Sequence, residues 1–303
     1  MILLWGLEAD TPIALVRKRL DERGQPYVFL NQADVLDVTI DIRYEPRPIG
    51  WLAVDGTRYD LGAFSAVYLR PYDFRQFPEF ADRSANSTEW KHAIGVEDML
   101  CGYADVAPTL VVNRPSTMLA NNSKPYQCSL ASEFGFHIPR TLLTTDEDAV
   151  REFRRSCGAI VYKSISGQRS IVKRLADEDD GRLADVRWCP TQFQEAVPGD
   201  DYRVHVVGRE VFATRVRSSD ADYRYGAAVY EPTVVPEDIS TRCVAASARM
   251  GLHLAGVDLR RTPHGDWFCF EINPCPAYSC YEIAADQAIS DAIADMLCLR
   301  TAA

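Results

Sequence analysis

Short apolar runs alternate with polar turns along the first third of the chain, and segments of helical spacing lie between them. ILLWG (2–6) reads as a buried strand, a continuous apolar run too short for a helix. Asp10, Thr11 and Pro12 give a helix start and Gly24 a stop, which predicts a helix over about 11–23. YVFLN (27–31) is a second strand, and this β-α-β opening predicts a parallel α/β lobe. Residues 38–44, 49–56 and 66–71 read as further strands, the last delivering Arg70 at its end. A helix over 88–104 and the strand 110–113 close the lobe.

The remaining two-thirds is richer in β-pattern. Ser123 caps a predicted helix through Phe134, and 137–145 is a strand. Asp146 caps a helix to Cys157, and 159–166 and 169–175 form a strand-loop-strand unit around Ser166-Gly167-Gln168. Residues 176–187, acidic and polar, read as a loose surface connection. Strands follow at 191–197, 201–208 and 209–218. Residues 219–236 have little periodicity and read as a mobile loop. A helix over 237–250, strands near 254–261 and 266–272, and an amphipathic helix over 283–299 complete the pattern. The boundaries this suggests are 1–113, 114–190 and 191–303, an α/β chain of three lobes.

Composition narrows the function classes. Hydrophobic residues make up 47% and charged residues 25% of the 303, as in an ordinary soluble globular protein. No apolar run approaches a membrane span, and the N-terminus lacks the basic and small-residue features of a signal peptide, which predicts a cytoplasmic protein without membrane contact. A net charge of -10 argues against nucleic acid as a partner. Nine cysteines without paired C-x-x-C spacing fit reduced thiols better than disulfides, and the cluster Cys269, Cys275 and Cys280 matches no common zinc spacing. Only five of the 33 basic residues are Lys, so a Lys at an element end, such as Lys124 or Lys163, stands out as a compact donor.

The densest chemistry lies in GVDLRRTPHGDWFCFEINP (256–274). Glu271 and Asn273 are two apart and share one strand face, with Asp258 across from them on the partner strand. Three hard oxygen donors on one face suit Mg²⁺. Upstream, Gln194-Glu195-Ala196-Val197 ends an apolar strand before Pro-Gly. Such a hinge can read an adenine edge through backbone groups, with Asp200 or Asp201 near a ribose. Arg203 and Arg215 lie on successive antiparallel strands, placed by this reading toward a common cleft, and Arg forks suit a carboxylate or transferring phosphoryl group. Lys163 precedes the small loop containing Ser166 and Gly167, and Lys124 opens a helix; together they suggest a phosphate grip. Each segment alone reads equally well as ordinary structure: edge-strand polar residues, a solvated hairpin, surface lysines.

Taken in order, these segments resemble an ATP-grasp ligase of the RimK-like group. N-N-S-K (121–124), V-Y-K-S-I-S-G (161–167), Q-E-A-V (194–197), D-Y-R-V (201–204), A-T-R-V (213–216), G-V-D-L-R (256–260) and F-E-I-N-P (270–274) carry the likeness. The opening lobe, with AVYLRP (66–71), more weakly resembles microviridin-type (graspetide) ligases that modify ribosomal peptides. The resemblance implies an ATP-grasp fold behind an N-terminal α/β domain. It implies ATP-dependent ligation of a carboxylate to an amine or hydroxyl through an acyl phosphate, with ATP and two Mg²⁺ ions. It gives Lys124 and Lys163 the phosphates, Glu195 and Val197 the adenine, Asp258, Glu271 and Asn273 the metal, and Arg203 and Arg215 the γ-phosphoryl. A peptide is the leading substrate. Free amino acids or similar metabolites are the alternative, and a non-catalytic nucleotide-binding scaffold is a minor one. Arg70, Arg217 and Tyr223 are the candidate substrate contacts, Arg70 reading equally well as a salt bridge between lobes, and a homodimer is compatible with the sequence.

Overall fold

The computed structural model describes residues 1–81, 83–119, 124–165, 172–218 and 228–299. β1 (Ile2–Gly6), α1 (Thr11–Glu22) and β2 (Tyr27–Asn31) form the expected opening unit. β3 (Thr39–Tyr44), β4 (Pro48–Val54) and β5 (Thr57–Asp60) make a separate antiparallel sheet. Its third strand, TRYD, is short and largely exposed, so it lacks the apolar alternation that marks a strand. β6 (Ala66–Arg70), α2 (Pro78–Ala81), α3 (Thr88–Val106) and β7 (Leu110–Val112) complete a parallel sheet of order β2-β1-β6-β7.

α4 (Pro115–Met118), α5 (Lys124–Glu133), β8 (Thr141–Thr144), α6 (Glu147–Cys157), β9 (Ile160–Ser164), β10 (Lys173–Arg174) and β11 (Thr191–Glu195) follow. The second sheet has order β10-β9-β11-β8. β11 therefore lies in this sheet, although a boundary at 190 would assign it to the third lobe; its Phe193 packs with Val150 and Ile160 beneath α6. Asp177–Arg187 is a 3₁₀ segment, not a loose connection. Leu183 and Val186 are buried on one side, and Arg154 pairs with Asp177 and Asp180 on the other.

The third sheet is antiparallel: β12 (Asp200–Val207), β13 (Glu210–Ser218), β14 (Ala228–Thr233), β15 (Leu254–Arg261) and β16 (Trp267–Asn273), in the order β14-β13-β12-β15-β16. β14 corrects the expectation of a loop over 219–236, since its backbone pairs with β13 from Ala213 to Ser218; Pro232, which disguises it, suits an edge strand. Residues 219–227, including Tyr223, lie outside the described residues. α7 (Glu237–Arg249) precedes β15. The predicted C-terminal helix is two, α8 (Ser279–Ala285) and α9 (Ile289–Cys298), broken at Asp286 with φ 49°.

The two faces of this third sheet have different neighbours. Val204, Val206, Ala213, Val257 and Leu259 pack under α5 and α7. Val207, Leu254 and Tyr278 instead share a core with Ile2, Leu4 and Tyr68 of the parallel sheet and with Ile289 and Ile293 of α9. Each such fully buried large side chain contributes about 1.5–3 kcal/mol by leaving water. None of the nine cysteines forms a disulfide among the described residues. Among the described residues no helix is long and apolar enough to cross a membrane.

Candidate active site

A cavity of about 260 Å³ opens between the second and third sheets. Val161 and Val172 lie on one side and Tyr202, Leu259 and Phe270 on the other, with the hinge Gln194–Val197 along its rim. Apolar walls with a backbone rim suit a flat heteroaromatic base. Lys163 and Arg174 line the same cavity, as do Asp201, Asp258 and Glu271.

The hinge is held by long-range bonds. Glu195 accepts the Arg140 N–H on Oε1 at 3.0 Å, and the Ala196 N–H donates to the Ala159 carbonyl at 3.0 Å. Gln194 is buried, its amide donating to Thr141 Oγ1. The Glu195 carboxylate thus braces β8, and its backbone is engaged as well: its N–H donates to the Arg140 carbonyl at 3.0 Å and its carbonyl accepts the Val197 N–H at 3.1 Å. Gly199, at φ 144°, lets the chain pass so close to Arg261 that a Cβ would lie 2.1 Å from its carbonyl oxygen.

Arg260, absent from the candidates drawn from sequence, ties the hinge to the sheet. It donates to the Val197 carbonyl at 2.8 Å and forks onto both oxygens of Asp201, each at 2.8 Å. Burial pushes the Asp201 carboxyl above the usual range while Arg260 opposes the shift. Asp200 does not line the cavity; it pairs with Arg215 at 2.7 Å.

The hairpin β15–β16 brings the candidate metal ligands together. Asp258 stands directly opposite Glu271, and Gly256 opposite Asn273. A bulge follows at Asp258/Leu259, where β16 carries one residue more than its partner. That extra residue lets Phe270 and Glu271, adjacent in sequence, both reach the cavity. The outer edge of β16 is capped by the Gln127 amide of α5, which donates to the Ile272 carbonyl at 3.0 Å. Asn273 Oδ1 accepts the Cys275 N–H at 2.9 Å, which fixes the amide and leaves its oxygen a second lone pair. Among the described residues no three His, Cys, Asp or Glu side chains group around a metal. The set here is two carboxylates and an amide, hard oxygen donors that fit Mg²⁺ with open positions for water or phosphate.

Register separates the two arginines. Arg203 lies opposite Thr214 and Asp258, whereas Arg215 lies opposite Tyr202. Direct partners share a face, so Arg203 and Arg215 are on opposite faces and do not meet in a common cleft. Arg203 is buried and joined to Asp258 at 2.5 Å, on the face that carries Glu271 and Asn273. Arg215 Nε is buried without a hydrogen-bond partner among the described residues. Arg217 is exposed and paired with Glu231. Behind Arg203, His205 accepts from its Nε at 3.4 Å, and burial, aided by the guanidinium, holds the imidazole well below its usual range.

Arg70 is 4% exposed, lies between the lobes and lines no part of the cavity, unlike the substrate contact its strand-end position suggested. Its Nε pairs with Asp10 at 2.5 Å and its Nη1 donates to the Pro276 carbonyl at 3.0 Å. Ser166 and Gly167 lie outside the described residues. Lys124 opens α5, but its side chain is likewise outside the description.

Residues 123–297 match the RimK-like ATP-grasp domain, and the chain belongs to that family. It is similar to glutathione synthetase from Nostoc sp., 26% identical over 174 residues that cover 52% of each chain, so it spans about half the length of this curated relative. Among solved structures it resembles the ATP-grasp ligase PsnB, complexed with a minimal precursor, Mg and ADP. That match has a TM-score of 0.83 at 26% identity and covers 99% of this chain and 97% of the other. The macrocyclase MdnC of Microcystis aeruginosa MRC, bound with its precursor peptide MdnA, shares the fold at TM-score 0.83 and 22% identity, over 98% and 99% of the two chains.

Proposed function

We propose that this protein is an ATP-dependent ligase that activates a carboxylate as an acyl phosphate and transfers it to an amine or hydroxyl, with a ribosomally made peptide as substrate. One observation carries the reading: an apolar slot with a backbone rim ends at Asp258 and Glu271, directly opposed, with Arg203 bonded to the first of them. Adenine in the slot puts the phosphates toward that end. Lys163 lies where a compact ammonium can meet them.

Asp258, Glu271 and Asn273 would hold Mg²⁺, two ions in this reading, which would neutralise phosphate charge. The chain's own part is positional. The slot aligns the γ-phosphoryl with the attacking carboxylate, and Arg203 supplies a forked cation where charge spreads during transfer. Phosphorylation turns one carboxylate oxygen into a leaving group, so no protein nucleophile is required. His205, buried and neutral, serves Arg203 as a hydrogen-bond acceptor and not as a general base.

The peptide reading is supported by PsnB and MdnC, structures that hold precursor peptides and match nearly the whole chain. Glutathione synthetase supports the alternative of free amino acids or similar small metabolites, but over about half the chain. The test is mass spectrometry of a small Thr/Ser/Lys- and Asp/Glu-rich peptide encoded beside the gene, incubated with protein, ATP and Mg²⁺. Loss of water from the peptide with matching ADP release supports the reading. An unchanged peptide alongside ligation of free amino acids favours the alternative.

A further inference from the structure

In an open parallel sheet, ligands settle at the carboxyl edge where the strand order reverses. Here the chain runs from β1 to β2 on one side and later returns to β6 on the other, which places that point between β1 and β6. The side chains there are Arg70, at the end of β6, and Asp10, just after β1. What fills the crevice is the protein's own turn after Asn273. Arg70 Nη1 donates to the Pro276 carbonyl at 3.0 Å and lies 3.5 Å from Cys275 Sγ. Asp10 spends its carboxylate on Arg70 Nε and on the Tyr72 hydroxyl at 2.8 Å, and makes no capping bond to α1. Gln32 in turn brackets Tyr72 with bonds to both its N–H and its carbonyl.

A second strand end holds the other side of the turn. Asn113, following β7 and 2% exposed, donates to the carbonyls of Pro274 and Leu254, each at 2.6 Å. Its Oδ1 accepts from the N–H groups of His253 and Leu254. Between these anchors, the Cys275 N–H fixes Asn273 Oδ1. Pro276 also backs Arg203, because a Cβ on Gly256 would lie within 2.7 Å of both the Arg203 guanidinium carbon and Pro276 Cβ.

We propose that Arg70 and Asn113 are positioning residues through which the N-terminal lobe locks the turn Pro274–Pro276, and so sets the Asn273 amide for metal and the Arg203 guanidinium beside it. The crevice that a parallel sheet ordinarily gives to a ligand is here a latch for the ligase site. The inference rests on the reading of Asn273 as a metal ligand.

The experiment measures Mn²⁺ binding to the protein–ADP complex by electron paramagnetic resonance, ADP binding in EDTA by calorimetry, and the urea midpoint. The variants are Arg70→Gln, Asp10→Asn and, as a control, Asn273→Ala. Partners that orient a ligand from outside the coordination shell are worth about ten- to a hundredfold in metal affinity. Arg70→Gln should therefore weaken Mn²⁺ binding about tenfold or more, and Asp10→Asn in the same direction, while metal-free ADP affinity stays within about twofold. Wild-type Mn²⁺ affinity in the folded variants overturns the latch, whatever happens to the urea midpoint. If Arg70→Gln does not fold, the Asp10→Asn result decides. Wild-type Mn²⁺ affinity in Asn273→Ala overturns the metal-site reading itself, a failure distinct from that of the latch.

Discussion

Arg203 and Asp258 face each other across β12 and β15 and are bonded at 2.5 Å, so the cationic arm of the site and one of the carboxylates proposed to hold the metal neutralise each other. The pair balances the buried Arg203 charge against a half-buried carboxylate, and in the proposed reaction phosphate and metal would divide it. Arg203→Ala should lower the rate of ADP release during ligation by about 10²–10³-fold, the usual effect of removing a donor aimed at transition-state charge. ADP affinity should change far less. Stopped-flow ADP release beside calorimetry separates the two, and equal losses in both would make Arg203 a ground-state contact.

Gly256 is the residue on which Arg203 rests. An added Cβ would lie 2.2 Å from Arg203 Nη2 and 2.7 Å from Pro276 Cβ, so neither can stay in place. Gly256→Ala should cost about 1–3 kcal/mol of stability by overpacking, and displacing Arg203 by an ångström should cost about 10²-fold in rate. Urea denaturation and turnover measure these separately. Full activity in the variant would show that the position of Arg203 does not matter to chemistry.

His205 predicts a pH dependence with a definite sign. Its folded-state value lies well below the ordinary 6.5, chiefly through burial and then through Arg203, and its Nδ1 has no hydrogen-bond partner among the described residues. The unfolded chain therefore takes up a proton that the folded protein refuses. The stability from this group is present above pH 6.5 and is lost as the pH falls below it, the slope rising to about 1.4 kcal/mol per pH unit once the unfolded imidazole is fully protonated. Urea midpoints measured from about pH 8 down to about pH 5 should show this slope, and His205→Gln should remove that component. An identical slope in the variant would assign the acid sensitivity to other groups.

Lys163 lines the cavity on β9 and is one of five lysines in a chain with 33 basic residues. A planar guanidinium is larger and does not replace a compact ammonium at a phosphate. Lys163→Arg should weaken ATP binding about tenfold, roughly 1.4 kcal/mol, by calorimetry. Unchanged affinity would remove Lys163 from the phosphate grip.

Much of this site was legible because its residues lie on one hairpin, where a period of two fixes which side chains share a face. Asp258, Glu271 and Asn273 could be grouped from spacing alone. Arg203 and Arg215 could not, because a face assignment across two strands depends on register, and the observed register sets them one step apart. Arg260 was hidden for the same reason: its partner Asp201 is 59 residues away, brought opposite by the β12–β15 pairing. Phe270 reaches the cavity only through a bulge, which no alternation announces. β11 showed its strand character in sequence but not its sheet, since its partners β8 and β9 are long-range choices. Arg70 was visible as a strand-end arginine, yet only the fold shows the turn that it grips.

The account turns on an acyl phosphate. Its most direct test supplies a precursor peptide whose Asp and Glu carboxylates carry heavy oxygen, together with ATP and Mg²⁺, and follows the label into the released phosphate by mass spectrometry. Transfer of the γ-phosphoryl to the carboxylate, then displacement by the amine or hydroxyl, must move one carboxylate oxygen into phosphate for every linkage formed. Heavy phosphate in step with water loss from the peptide is the predicted result. Linkage formation with unlabelled phosphate, or with AMP as the nucleotide product, would contradict it.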